Sequence, residues 1–151
     1  MMSRRASIAM SDEELRGFLA EEHSLTCATI KPNGRPHLVE LWYVVDGPEI
    51  VCWTYAKSQK ARNLERDPRA TIQVEAGDSY GDLRGAAMEC DVEIERDPER
   101  VLAAGIALAT RYPGPPDEQA RASIAQQAPK RVVLRFTPTH TASWDHRKLG
   151  G

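Results

Sequence analysis

Residues 53–64, WTYAKSQKARNL, gather the side chains best suited to chemistry. They read as a strand running straight into a helix whose first turn carries Lys57, Ser58 and Lys60, with Arg62 just beyond. A helix N-terminus presents unpaired N–H groups and the positive end of the helix dipole, so it favours anions and repels cations. Lysines there are unfavourable unless an anion offsets them. On a helical wheel Lys60 falls on the stripe of Ala61 and Leu64, the stripe that should face the interior, which leaves Lys60 half-buried. Burying a charge is costly unless it is paired. Two readings follow from the residues. In one, Lys57, Lys60, Arg62 and Arg66 form a solvated basic face. In the other, the turn is a phosphate cradle, with Lys60 as the charge, Ser58 and Thr54 as hydroxyl donors, and backbone N–H groups completing it.

No second constellation competes. His23 and His37 have no metal-like spacing with other ligands, and His140 and His146 stand six apart in a strand-like segment, so no metal site is expected. Trp42 and Trp53 suit the core of a hairpin, and either could also stack on a planar ring.

The composition limits the classes further. A chain of 151 residues fits one domain with one core. Its net charge of −2 argues against a nucleic-acid partner, which calls for a basic excess. No apolar run approaches the length that spans a bilayer, and the first ten residues lack an export-type apolar core. Cys27, Cys52 and Cys90 are odd in number and lie in apolar segments, so they read as buried free thiols in a cytoplasmic protein.

The elements that must position Lys60 follow from pattern. Ser11 and Glu14 make a capping box opening a helix with Leu15, Phe18 and Leu19 on one stripe, after a flexible N-terminus over residues 1–10. Residues 25–30 form a strand and 31–34 a turn. A second strand, 36–45, and a third, 50–55, joined by a tight turn over 46–49, read as a hairpin continuing a meander. The helix over 57–66 stops at Asp67-Pro68. Strands follow at 69–75 and 83–95. Asp97-Pro98 opens a helix reaching about Tyr112, an alanine-rich helix covers 117–128, and Val132, Leu134 and Phe136 alternate inward in a last strand. About six strands in meander order, with no G-x-G-x-x-G and no alternating strand–helix units, predict a mainly β, antiparallel barrel.

The segments ATIKPNGRPH (28–37), SQKARNL (58–64), Asp67-Pro-Arg69, Thr137-Pro138 and SWDHRKL (143–149) together resemble the pyridoxamine 5'-phosphate oxidase-like split-barrel superfamily, and within it the F420-dependent branch found mainly in actinobacteria. The likeness runs from about Ser11 to Leu149. It implies one split-barrel domain over residues 1–151 and a homodimer with cofactor sites at its interface. It implies cofactor contacts from Trp53, Thr54, Lys57, Ser58, Lys60, Arg62 and Asn63, with Leu38, Val39, Glu40 and Leu41 along the ring and Trp144 reaching the partner's cofactor. F420 is the cofactor so implied, FMN the alternative. Two residues depart from the pattern: Gln59 stands where FMN oxidases carry a second phosphate arginine, and Glu40 puts a carboxylate in the ring-binding strand. Glu40 could bond the ring or substrate, donate a proton if burial raised its pKa, or point away. The function so implied is hydride transfer from reduced F420 to a small unsaturated organic acceptor. The rivals on this fold are an FMN-dependent oxidase or reductase and a non-catalytic flavin- or haem-binding barrel.

Overall fold

The computed structural model describes residues 1–150. Local signals set the helices where the sequence puts them. Ser11 and Glu14 close a reciprocal capping box at the start of α2 (Asp12–Glu21), which follows the single turn α1 (Arg4–Ser7). Seven strands then make one antiparallel sheet: β1 (Ser24–Ile30), β2 (Pro36–Trp42), β3 (Val44–Asp46), β4 (Glu49–Tyr55), β5 (Arg69–Ala76), β6 (Arg84–Glu95) and β7 (Arg131–Asp145). Their order is β2-β1-β5-β6-β7-β4-β3, a curled antiparallel half-barrel of the expected mainly β class. Helix α3 (Gln59–Arg66) joins β4 to β5. Helices α4 (Pro98–Arg111) and α5 (Glu118–Gln127) lie between β6 and β7, each capped by the aspartate before it, Asp97 and Asp117. No helix among the described residues is long and apolar enough to cross a membrane.

The expected second strand, 36–45, is two strands. The chain breaks at Tyr43, and β2 and β3 end up on opposite edges of the sheet. The partner of β4 in a hairpin is therefore the three-residue β3, not β2, and the strand count rises to seven. The physical reason is the burial of Tyr43, which is fully enclosed. Its hydroxyl donates to the Leu19 carbonyl at 2.6 Å and its N–H to the His23 carbonyl at 3.4 Å. Its own carbonyl accepts from Arg111 at 3.3 Å and from the Tyr112 hydroxyl at 3.2 Å. One continuous segment thus carries the chain from one sheet edge to the other, and the edges meet at a plugged seam. The last strand is also longer than the apolar alternation indicated. Beyond Phe136 the apolar alternation lapses until Trp144, yet pairing with β6 runs to Asp145.

Alternation along the strands sorts side chains into two clusters. Leu25, Cys27, Cys52, Ile72, Met88 and Phe136 point into the barrel, where Phe18 and Leu19 of α2 and Ala61 and Leu64 of α3 join them. On the outer face Val51 and Val133 pack with Val101 and Ala104 of α4. Residues 8–10, expected within a flexible terminus, are tied down: the Ile8 carbonyl accepts from the Asp145 N–H at 2.7 Å, and the Met10 N–H donates to the Ser143 hydroxyl at 2.9 Å.

The seam makes Tyr43 the test of closure. Tyr43→Phe leaves the Leu19 carbonyl its Arg111 bond at 2.9 Å, so the expected loss is about 1 kcal/mol. Tyr43→Ala empties the seam and should cost about 3–5 kcal/mol, the range for deleting a large buried aromatic side chain. Urea unfolding of both variants measures this, and equal losses would show that ring packing does not close the barrel.

Candidate functional site

The candidate site forms where β4 hands over to α3. Ser58 is the N-cap of α3, its hydroxyl accepting from the Ala61 N–H at 3.2 Å. The helix therefore begins at Gln59, two residues later than the pattern suggested, and Lys57 lies in the turn before it. The first turn of α3 holds no acidic residue. Ala61 and Leu64 are buried against the barrel, as the wheel requires, and Lys60 on the same stripe is half-buried. Its ammonium donates to the hydroxyl of Thr54, an inward-facing residue of β4, at 2.9 Å. No ion pair among the described residues includes Lys60.

Burial lowers the Lys60 pKa from its ordinary value, and the nearby positive charge of Arg131 pushes the same way. The thiols of Cys27 and Cys52 are close enough to act on Lys60 in the opposite sense. Burial drives the Cys27 thiol up to about 12 and Cys52 well above its ordinary value, so both are protonated at neutral pH and supply no counter-charge. The site is a cationic, half-buried ammonium on the hydroxyl of Thr54, with the Ser58 hydroxyl capping the helix that carries it. Each hydroxyl acts as acceptor in the bonds it makes here, so its own hydrogen is left to donate. That arrangement suits an oxyanion such as a phosphate.

The structure sorts the other expected residues. Lys57 and Arg62 are exposed. Asn63 is fully buried, its amide donating to Thr29 at 3.0 Å and accepting from Gln59 at 2.7 Å. It is a strut between α3 and β1. Trp53 stands on the opposite side of β4 from Thr54. Its ring packs beneath Gly105 of α4, where even a Cβ would come within 2.8 Å of the indole, so the ring belongs to the outer cluster and not to the Lys60 side.

On β2, Val39 and Leu41 pack toward the core, whereas Leu38 and Glu40 point outward. Leu38 is 64% and Trp42 58% exposed on this edge strand. Glu40 is exposed and accepts from the Thr26 hydroxyl on the neighbouring strand. The burial that a proton-donor role requires is absent in the single chain. Trp144 packs against Gly85, where an added Cβ would come within 2.3 Å of the ring. It sits on β7, four strands from β2. At ~4.8 Å per strand spacing that is about 19 Å along the sheet. The residue that sequence reasoning missed is Arg131. Its only signal was a place in the outward row of the last strand, and its nearness to Lys60 depends on β4–β7 pairing.

With this geometry in place, the chain can be set beside known proteins. The family model for pyridoxamine 5'-phosphate oxidase matches residues 11–145. Among solved structures, the chain is similar to the conserved hypothetical protein Rv2991 from Mycobacterium tuberculosis, with 43% identity and a TM-score of 0.91, covering 99% of this chain and 94% of that one. It is similar to an F420 reductase at 28% identity and a TM-score of 0.67, covering 83% and 94%. HutZ, the heme storage protein from Vibrio cholerae, shares the fold at 20% identity and a TM-score of 0.67, covering 85% and 90%.

The unpaired charge at Lys60 has a stability signature. Because its folded pKa lies below the ordinary 10.5, the unfolded chain holds this proton more tightly than the folded one. The apo protein therefore gains stability from this group as pH rises through the window between the depressed value and 10.5. The raised thiol pKa values act in the other direction above their ordinary value of 9.0, so the comparison is made against a variant. Lys60→Met should melt at or above wild type at pH 7, and the gap should close as pH approaches 10.5. Thermal melts of both proteins across that range check it. A variant less stable than wild type at pH 7 would mean that Lys60 already has its partner in the fold.

Proposed function

Because the chain belongs to the pyridoxamine 5'-phosphate oxidase family, we propose that it is an oxidoreductase that binds reduced F420 and passes its hydride to a small unsaturated organic acceptor. The observation that carries this reading is Lys60, a half-buried ammonium at the start of α3 that bonds the Thr54 hydroxyl and has no counter-ion among the described residues. A cofactor phosphate would supply that counter-charge. The choice of F420 over FMN rests on two supports. Gln59, standing in place of a phosphate arginine, spends its side chain on Asn63, and the chain is 28% identical to an F420 reductase.

When bound, the deazaflavin supplies the hydride; the protein binds, orients and shields it. Lys60, Ser58 and Thr54 would hold the phosphate, with the exposed Lys57 and Arg62 near the same end. The backbone of the edge strand β2, Leu38, Val39, Glu40 and Leu41, would lie along the ring. Glu40, exposed in the single chain, has no burial to raise its pKa, so the acceptor would take its proton from solvent.

The active form in this proposal is a homodimer. Leu38 and Trp42 leave apolar surface open on the edge strand. A second copy would cover it and bring its Trp144 to the cofactor, as the resemblance implies. Light scattering should give about twice the 16.8 kDa chain mass, and Leu38→Arg should shift the protein toward monomer with loss of cofactor binding. A wild-type monomer that binds cofactor normally would sink the shared site.

Fluorescence titration tests the cofactor. F420 should bind more tightly than FMN, and an FMN affinity equal to or better than that for F420 would favour the flavin enzyme. Lys60→Ala should weaken cofactor binding by about 2–4 kcal/mol, the cost of breaking a desolvated charge pair. Arg66→Ala, an exposed arginine that bonds the Ile30 carbonyl, is the matched control and should leave binding unchanged.

A further inference from the structure

Helix α4 packs on the outer face of the sheet, the side of β4 that carries Trp53 and not the side of Thr54 and Lys60. Gly105 lets α5 meet α4 there, since a Cβ at that position would come within 2.9 Å of Ile124. Toward the start of α4 the two helices part. The cleft between them holds about 430 Å³, with Val101 and Leu102 of α4 facing Ala125 and Ala128 from the end of α5. Small-molecule sites are concave and mostly apolar, with a few fixed polar groups that orient the ligand, over a range of roughly 300–1,000 Å³. Arg96 and Arg131 supply the polar groups here, and no residue lining the cleft is acidic.

The two arginines differ. Arg96 is paired with Glu65 at 2.9 Å. Arg131 joins no ion pair among the described residues. Its guanidinium lies 3.6 Å from the Tyr55 ring centroid and 4.9 Å from that of Trp53, which fixes it against the outer face. One terminal nitrogen donates to Gln127 at 3.0 Å, and its Nε is buried without an acceptor. A guanidinium held by stacking, with no carboxylate of its own, matches the two oxygens of a ligand carboxylate. Helix α5 buries none of its residues, so the wall on that side can shift at little cost to admit one.

We infer that the α4–α5 cleft is a second ligand site, which takes a small carboxylate with an apolar body. The hydrocarbon part lies between Leu102 and Ala125, and the carboxylate meets Arg131. Its occupant is distinct from the cofactor, because the cleft and Thr54 lie on opposite faces of β4, and the inference stands independently of the cofactor reading.

Calorimetric titration of the full chain tests it, with octanoate as probe and octanol as the uncharged counterpart. Octanoate should bind one site per chain, about tenfold or more tighter than octanol, the scale of one charge-assisted contact. Arg131→Met keeps an apolar stem over the rings and should bring octanoate down to the level of octanol. Ala125→Phe, at an exposed position of α5 that lines the cleft, should fill it and abolish binding of both probes. That second variant keeps the test decisive even where Arg131→Met does not fold. F420 affinity should be unchanged by Ala125→Phe and by saturating octanoate. The inference is overturned by equal affinities for octanoate and octanol, by octanoate binding that survives either substitution, or by no octanoate binding at millimolar concentrations. Competition between octanoate and F420 overturns it too, by placing octanoate in the cofactor site. A chain that binds octanoate and not F420 leaves this site standing and removes the cofactor reading.

Discussion

The closure of the sheet at Tyr43 is the constraint on which the rest of this molecule depends. A seven-stranded sheet has two edges, and here one uninterrupted segment supplies both, β2 before Tyr43 and β3 after it. A chain turning that sharply inside the protein leaves backbone groups that must find partners without water. The Leu19, His23, Arg111 and Tyr112 contacts provide them. Arg111 does this from the last turn of α4, also reaching the Ala20 and Glu22 carbonyls at the end of α2. Two helices and the seam are thereby fixed by one guanidinium, stacked at 4.8 Å on the Tyr43 ring.

Closure at one place exposes the structure at another. With β3 and β4 on the far edge, β2 has a partner on one side only, and its outward row of Leu38, Glu40 and Trp42 faces solvent. An edge strand with open apolar side chains is a liability in a monomer and a resource in an assembly. The same topology places α3 at the barrel end above Thr54 and the buried thiols, where its lysine finds hydroxyls and no carboxylate. The fold tolerates this because Asn63, Ala61 and Leu64 anchor the helix independently of Lys60. Stability resides on one face of α3, and an uncompensated charge is left on its first turn.

Two half-buried arginines show how context divides like residues. Arg135 of β7 meets Glu95 at 2.7 Å and Asp46 at 3.1 Å, and its partners hold the β3–β4 turn in place. Arg131, four residues earlier on the same face, meets only aromatic rings and an amide. A guanidinium paired with carboxylates is structural. One held by rings keeps its charge available, and its neighbours are other cations.

What the sequence by itself determined is what neighbours along the chain decide. The capping box of α2, the Asp97-Pro98 start of α4, the amphipathic face of α3 and the half-burial of Lys60 all follow from residues a few positions apart. The strand alternation and the glycine and proline breaks were legible for the same reason. The family pattern in residues 11–145 carried the barrel and the cofactor class because it sums many such local features. Tertiary structure alone decided the split of 36–45 into two edges, since nothing near Tyr43 in sequence says that Leu19, His23 and Arg111 await it. It also decided that Asn63 is enclosed, that Trp53 faces away from Lys60, and that Arg131 stands over Tyr55. Each of these depends on register between segments tens of residues apart, and a one-residue slip in pairing would have sent the same side chain to the other face.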